Sequence, residues 1–282
     1  MKILLVGGHS SLAGVLHPVL SSFAEVLTAG RSGCDVDLDL SWPVEKFCFP
    51  QGIDVVVNTV AHFGGNDFDA IIAAETVNVL GGLKLCCAAR KAGARHFVNI
   101  SSTSAFLDRC SAYYGIYALS KRHADEVLQL YCARENLLCT ILRPSQLYGE
   151  LDSFRRHQPF LYNAVDKAMC NEDVVIFGSR DALRNYLYAG DFCKVIASVI
   201  GERIEGVYSC TSPTDNGLLE VANAAIKAAA SSSLVVFNGA MNDIPDNVFP
   251  YDDTLYRKIG VYPTIGLEEG IRRLVADRLV KS

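Results

Sequence analysis

Lys2-Ile3-Leu4-Leu5-Val6-Gly7-Gly8-His9-Ser10-Ser11-Leu12-Ala13-Gly14 opens the chain. An apolar run that meets a pair of glycines and then helix-compatible residues reads as a buried strand, a glycine turn and a helix start. Glycines after a first parallel strand let the backbone approach a pyrophosphate, and the N-terminus of the next helix favours its charge. The spacing is Gly8-x-x-Ser11-x-x-Gly14, with a serine where a middle glycine normally sits. Gly8, Ser10, Ser11, Leu12 and Gly14 are therefore candidate dinucleotide contacts, although an ordinary strand-turn-helix connection has a similar look.

The next segments repeat the alternation. Ala24–Ala29 reads as a second strand ending in Gly30-Arg31-Ser32. A site for NAD places a carboxylate at this strand end to hold the ribose 2′-hydroxyl. Here Arg31 and Ser32 stand in its place and suit a 2′-phosphate, which favours NADP over NAD. Asp35–Leu40 alternates as a short strand, and its end, Asp39-Leu40, is placed to meet an adenine ring. Ile53–Ala61 is a continuous apolar run, as in a strand covered on both faces, with Val60 and Ala61 small enough to let a cofactor lie close. His62 follows, as readily structural as functional. Residues 69–92 read as a helix, and Arg95–Ser104 as a strand ending in the hydroxyls of Ser101, Ser102, Thr103 and Ser104.

Tyr117-Ala118-Leu119-Ser120-Lys121 begins a further helical run. Positions i and i+4 share a helix face, so a phenol and an ammonium can face one cleft. A free phenol titrates near pH 10, and a neighbouring cation lowers that value. Leu137–Gly149 returns to strand and includes Arg143-Pro144-Ser145. The alternation through about residue 150 predicts an α/β, Rossmann-type doubly wound parallel sheet.

Beyond it the pattern changes. Residues 151–185 show no regular alternation and carry Arg155, Arg156, His157, Arg180 and Arg184, a set of cations able to hold a phosphate-bearing substrate or simply to face solvent. Helix is expected at 191–201, strand at 207–210, helix at 217–231, strand at 234–237 and a last helix from Glu268. The predicted organisation is a dinucleotide-binding domain of residues 1–150 plus about 186–207, and a smaller C-terminal α/β substrate lobe of 151–185 plus about 208–282.

Composition narrows the function classes. The chain of 282 residues is 50% hydrophobic and 20% charged, the balance of a globular protein. A net charge of −5 gives no footprint for nucleic acid. Ten scattered cysteines, without a CxxC or a paired histidine, exclude the usual zinc spacings and point to a reduced, cytoplasmic setting. No run of 18 apolar residues is present and the N-terminal apolar stretch is too short for a signal peptide, so no membrane partner is expected.

Together the glycine turn, Asp39-Leu40, Asn78-Val79-Leu80-Gly81, Ser101-Ser102-Thr103, Tyr117…Lys121, Arg143-Pro144…Tyr148-Gly149, Arg184-Asn185-Tyr186…Asp191 and Lys258-Ile259-Gly260…Glu268-Glu269-Gly270 resemble the extended short-chain dehydrogenase/reductase family, also called NAD-dependent epimerase/dehydratases. The resemblance implies that Tyr117 is the proton donor and acceptor. It implies that Lys121 binds the nicotinamide ribose and depresses the Tyr117 pKa, and that Ser102, with Thr103 as the next candidate, bonds the reacting oxygen. Pro144 and Ser145 would line the nicotinamide pocket and Arg184 would lie near a nucleotide-sugar diphosphate. A homodimer through the helices at 69–92 and 111–135 is also implied. Phe106 departs from the Tyr-Gly often found in the family. Thr103-Ser104 replace the Asp-Glu pair of the 4,6-dehydratases, which argues against dehydration. The expected activity is hydride transfer on a nucleotide sugar, by a 4-keto reductase or 4-epimerase. The alternatives are an NADPH-dependent reductase of a small non-nucleotide ketone and a non-catalytic dinucleotide sensor or scaffold.

Overall fold

The computed structural model describes residues 1–281. Its first elements are β1 (Lys2–Val6), α1 (Ser11–Ser21), β2 (Glu25–Gly30), β3 (Val36–Asp37) and β4 (Val55–Asn58). A 24-residue helix follows, made of α2 (Phe68–Ala74), a π-helical stretch (Glu75–Gly81) and α3 (Gly82–Lys91). Next come β5 (His96–Ile100), α4 (Ile116–Arg134), β6 (Leu138–Pro144), β7 (Gln146–Tyr148), α5 (Pro159–Met169), β8 (Val174–Phe177), β9 (Leu183–Arg184), β10 (Tyr186–Tyr188) and α6 (Ala189–Glu202). The chain ends with β11 (Gly206–Cys210), β12 (Asn216–Gly217), α7 (Leu218–Ala228), β13 (Val235–Asn238), α8 (Thr254–Ile259) and α9 (Leu267–Lys281).

Seven strands form one sheet in the order β11-β6-β5-β4-β1-β2-β3. Strand β1 runs parallel to β2 on one side (Leu4 opposite Leu27) and to β4 on the other (Leu4 opposite Val56), and β4, β5 and β6 continue in parallel. The strand order therefore reverses next to β1. Ligands of doubly wound sheets bind at that switch point, beyond the carboxyl ends of the strands. All four residues of β4 and all five of β5 are buried, as helices on both faces require. Leu4, Val56 and Phe97 from these strands join Leu85, Cys86, Leu128 and Cys132 from the helices in one core.

The chain divides into two compact units. The first comprises Met1–Pro144, Cys193–Ser209 and Thr254–Val261, and the second Ser145–Phe192, Cys210–Asp253 and the chain from Tyr262 onward. Helix α8 thus groups with the sheet. Residues 151–185, read from sequence as irregular, hold α5, β8 and β9. Helix α5 starts at Pro159, a residue that breaks helices except in their first turn.

Two other expectations are adjusted. The strand over Asp35–Leu40 shrinks to Val36–Asp37 because the flanking carboxylates engage backbone groups: Asp35 accepts from the Thr28 N–H of β2 and Asp39 from the Ser41 N–H in a turn, each at 2.8 Å. Phe68–Lys91 is long and apolar enough, by length and composition, to cross a membrane. In the fold it is the crossover from β4 to β5, and Ala74, Asn78, Val79, Leu85 and Cys86 are its buried face.

Candidate active site

The turn after β1 needs both of its glycines. Gly7 has φ +88°, and a Cβ there would lie 2.7 Å from Thr59 Oγ1. A Cβ at Gly8 would meet Cys34 Sγ and the Thr28 Cβ at 3.0 Å each. Ser10 caps α1, accepting from the Ala13 N–H at 3.0 Å, and its hydroxyl pairs with Thr59 Oγ1 at 2.8 Å. Ser11 and Leu12 are buried in the first turn, whose N–H groups have no partner within the helix. The Ser11 hydroxyl is buried without a hydrogen-bond partner. An orphaned hydroxyl in the first turn of a helix fits a diphosphate, so the residues present suit a dinucleotide. Gly14 lies on the exposed side of α1.

At the end of β2, Arg31 and Ser32 are exposed. Arg31 is near enough to Asp39 to help hold its carboxyl below the usual range, after the larger effect of the Ser41 N–H. His9, from the glycine turn, donates through Nε2 to the Ser32 carbonyl at 2.6 Å. It brings a third polar side chain to this corner that sequence reading had not assigned. Leu40 is buried, and Lys84 Nζ holds its carbonyl and that of Trp42. Val60 and Ala61 follow β4 and are partly exposed.

Ser102 and Tyr117 meet across 15 positions of chain, the serine hydroxyl near enough to lower the pKa of the phenol. Ser102 ends the β5 segment and caps the turn Thr103–Phe106, accepting from the Ser104 N–H at 3.1 Å. Thr103 is buried in that turn. Tyr117 sits in the first turn of α4. One and two turns further, Lys121 and Asp125 lie on the same buried face. Lys121 Nζ donates to the Ile100 carbonyl at 2.9 Å and stands 5.9 Å from the Tyr117 ring centre.

Burial is the strongest influence on both groups. It lowers Lys121 to about 8, against the raising effect of Asp125. It raises Tyr117 to about 12, against the lowering effect of the Ser102 hydroxyl. The net direction for the phenol is therefore upward, because desolvation of the phenolate outweighs the lowering effect of Ser102. Asp125 was legible in principle, being four residues beyond Lys121 on one helix face. Phe63, whose ring stacks on Tyr117, carried no signal in the sequence. The Arg143 guanidinium lies 4.6 Å from the Phe106 ring centre, so the family departure at 106 makes a cation–π contact here. His62 is anchored by its backbone to Asn78, and its Nδ1 accepts from the Gly64 N–H at 3.0 Å, the structural alternative for this histidine.

Pro144 closes β6 in the first unit and is buried. In the second unit, the Ser145 N–H donates to the Cys210 carbonyl at 3.0 Å, while its hydroxyl is buried without a partner. Arg184 is buried and donates to the Leu183 and Pro245 carbonyls at 2.8 Å each. The surrounding cations are engaged internally: Arg155 with Asp152 and Asp166, Arg180 with Asp246, and Arg156 with the His157 ring. A shared phosphate-binding set is therefore not assembled from Arg155 and Arg180, since carboxylates already neutralise them. Among the described residues no group of three or more His, Cys, Asp or Glu side chains is placed to hold a metal ion.

Comparison with known proteins adds the following. The model of the NAD dependent epimerase/dehydratase family matches residues 17–210, starting just after the glycine turn. A Methanocaldococcus jannaschii protein assigned by inference as a UDP-glucose 4-epimerase is 26% identical over 260 residues, 86% of this chain and 80% of that one. The Thermus thermophilus UDP-glucose 4-epimerase in complex with NAD superposes with a TM-score of 0.76 over 98% of both chains, at 20% identity. RMD from Pseudomonas aeruginosa complexed with NADPH superposes with a TM-score of 0.79 over 100% of this chain and 98% of that one, at 17% identity. At such identities the structural likeness shows a shared fold.

Proposed function

The chain belongs to the NAD-dependent epimerase/dehydratase family, and we propose that it is a nicotinamide-dinucleotide enzyme acting on a nucleotide sugar, as a 4-keto reductase or 4-epimerase. The Ser102–Tyr117–Lys121 set carries this reading, with a serine hydroxyl that acts on the phenol and an ammonium on the same helix face. When bound, the nicotinamide would supply hydride to, or take it from, the reacting carbon.

The chain's own groups handle the proton. Tyr117 would hold it at the phenol oxygen, beside the oxygen of the substrate. Ser102 would donate to that same substrate oxygen. Lys121 gives one of its three hydrogens to Ile100, which leaves two for the ribose hydroxyls. A phenol raised to about 12 is protonated at rest, which suits the direction in which a ketone is reduced. The Ser11 hydroxyl and the first N–H groups of α1 would hold the diphosphate, with Asp39 and Leu40 at the adenine and Val60, Ala61, Pro144 and Ser145 along the cofactor. Exposed Arg31 and Ser32, with no acid at that strand end, support NADP over NAD. Thr103 and Arg184 remain the substrate candidates.

Two further expectations belong to this reading. A homodimer through Phe68–Lys91 and α4 is supported by Ile72, Leu80 and Leu130, which are more than half or about half exposed there. A reducing, cytoplasmic setting agrees with ten free cysteines.

One observation favours a second reading. The internal pairing of Arg155 and Arg180 weakens the case for a diphosphate-binding cluster, and so favours reduction of a smaller ketone. The two readings separate in a single experiment: native mass spectrometry of the purified protein, then turnover with a panel of nucleotide sugars and small ketones. Retention of NADP(H) with turnover of a nucleotide sugar is expected. Turnover of simple ketones alone would move the assignment to the second reading.

A further inference from the structure

The loop between β4 and α2 is tied to the catalytic helix at three points. The Asn78 carboxamide accepts from the His62 N–H and donates to the His62 carbonyl, both at 2.8 Å, as a neighbouring strand would. The same carboxamide donates to Ser120 Oγ at 2.9 Å, and Ser120 donates to the Tyr117 carbonyl at 3.1 Å. Gly64, at φ +82°, presses on the first turn of α4, where a Cβ would lie 2.5 Å from Ile116 Cγ2. Between these anchors stands Phe63. Its ring lies 5.0 Å from that of Tyr117, centre to centre, with the planes 19° apart. Yet Phe63 is 50% exposed. The fold anchors its loop on both sides of this ring, by the Asn78 hydrogen bonds at His62 and by the close approach of Gly64 to Ile116.

We infer that Phe63 is a positioning residue for Tyr117, covering one face of its ring and holding the phenol in register with Ser102. This rests on the assignment of Tyr117 as the acid/base group. The chemistry follows from the stack. Turning the Tyr117 side chain would break the ring contact and carry the phenol away from Ser102. The Phe63 hydrocarbon also keeps water from the ring, in keeping with the burial that dominates the phenol's titration. The charged groups facing Tyr117 are Lys121 and, more deeply, Asp125 from its own helix, with Arg143 of β6 paired to Asp125. From the loop come Phe63 and a His62 ring whose Nδ1 is taken by Gly64.

The test compares the wild-type chain with Phe63→Ala and Phe63→Tyr, each carrying tyrosine labelled with ¹³C at Cζ. The Tyr117 resonance is assigned by its loss in Tyr117→Phe. In Phe63→Ala the Tyr117 titration midpoint is expected to fall by about one unit as water reaches the ring. Turnover is expected to drop about tenfold with KM little changed, since a misplaced group loses rate rather than affinity. Phe63→Tyr, which keeps the stack, is expected to restore both. Identical Tyr117 titrations in wild type and Phe63→Ala would overturn the inference. The resonance needs no substrate, so a wild-type protein that turns over no nucleotide sugar would sink the proposed function while leaving this result standing. Far-UV circular dichroism checks that the variants fold, and the half-exposed position of Phe63 means its truncation removes nothing from the core.

Discussion

Arg143 Nε donates to Asp125 Oδ2 at 2.8 Å, with the carboxylate wholly buried and the guanidinium nearly so. The pair lies one helical turn beyond Lys121 and joins β6 to α4. Ser101, next to Ser102, donates to the same carboxylate oxygen at 2.9 Å. Burial nevertheless raises the Asp125 pKa, the effect of Arg143 being the largest that opposes it. One buried ion pair thus underlies both the serine strand and the lysine turn of the proposed site.

Breaking that pair leaves an uncompensated charge in the interior. Asp125→Asn and Arg143→Leu are each expected to lower unfolding stability by about 3–5 kcal/mol. Removing both charges in Asp125→Leu/Arg143→Leu should recover part of the loss. Urea unfolding of the three variants measures this, and additive losses in the double variant would contradict a direct coupling.

Tyr117→Phe removes only the phenol oxygen. Turnover is expected to fall by about 10²–10⁴-fold, while dinucleotide affinity, read by fluorescence titration, stays largely unchanged. Wild-type-like turnover would end the acid/base assignment.

Arg31→Glu places a carboxylate at the end of β2. Affinity for NADPH is expected to fall at least about tenfold, because a charged hydrogen bond to the 2′-phosphate is exchanged for repulsion. Affinity for NADH should hold or improve. Equal losses for both cofactors would show that Arg31 does not read the 2′-position.

His96 offers a stability prediction that needs no ligand. Thr140 Oγ1 donates to the Ile204 carbonyl, so it accepts from His96 Nε2–H at 2.8 Å. His96 Nδ1 is therefore the bare nitrogen, and it is buried without a partner. Protonating it would leave an unpaired buried charge, and burial accordingly lowers the pKa to about 4. The unfolded chain takes up this proton near pH 6.5 and the folded chain only near 4, so the contribution is present above 6.5 and is lost as pH falls between those values. The loss is expected to reach about 3 kcal/mol. His96→Gln should flatten this part of the pH–stability curve, and an unchanged slope would exclude His96 as its source.

Much of the fold follows from local rules. Lys2–Val6 is a buried strand because it is an unbroken apolar run, and Gly7 ends it because only glycine accepts φ +88° with Thr59 so near. Tyr117 and Lys121 share a face because helix geometry places i and i+4 together. Helix α5 escaped such reading because its first residue is a proline, a breaker whose meaning depends on position.

The sequence by itself determined the alternation of strands and helices, the glycine turn and the residue types of the proposed site, since each depends on neighbours within a few positions. Only the tertiary structure decided that Phe63 lies on Tyr117, that Asp125 answers Arg143, and that Arg155 and Arg180 are neutralised by carboxylates. It also decided the direction in which the Tyr117 phenol titrates. A helical spacing tells which cation is near, whereas desolvation depends on everything packed around the group, and here desolvation is the larger effect.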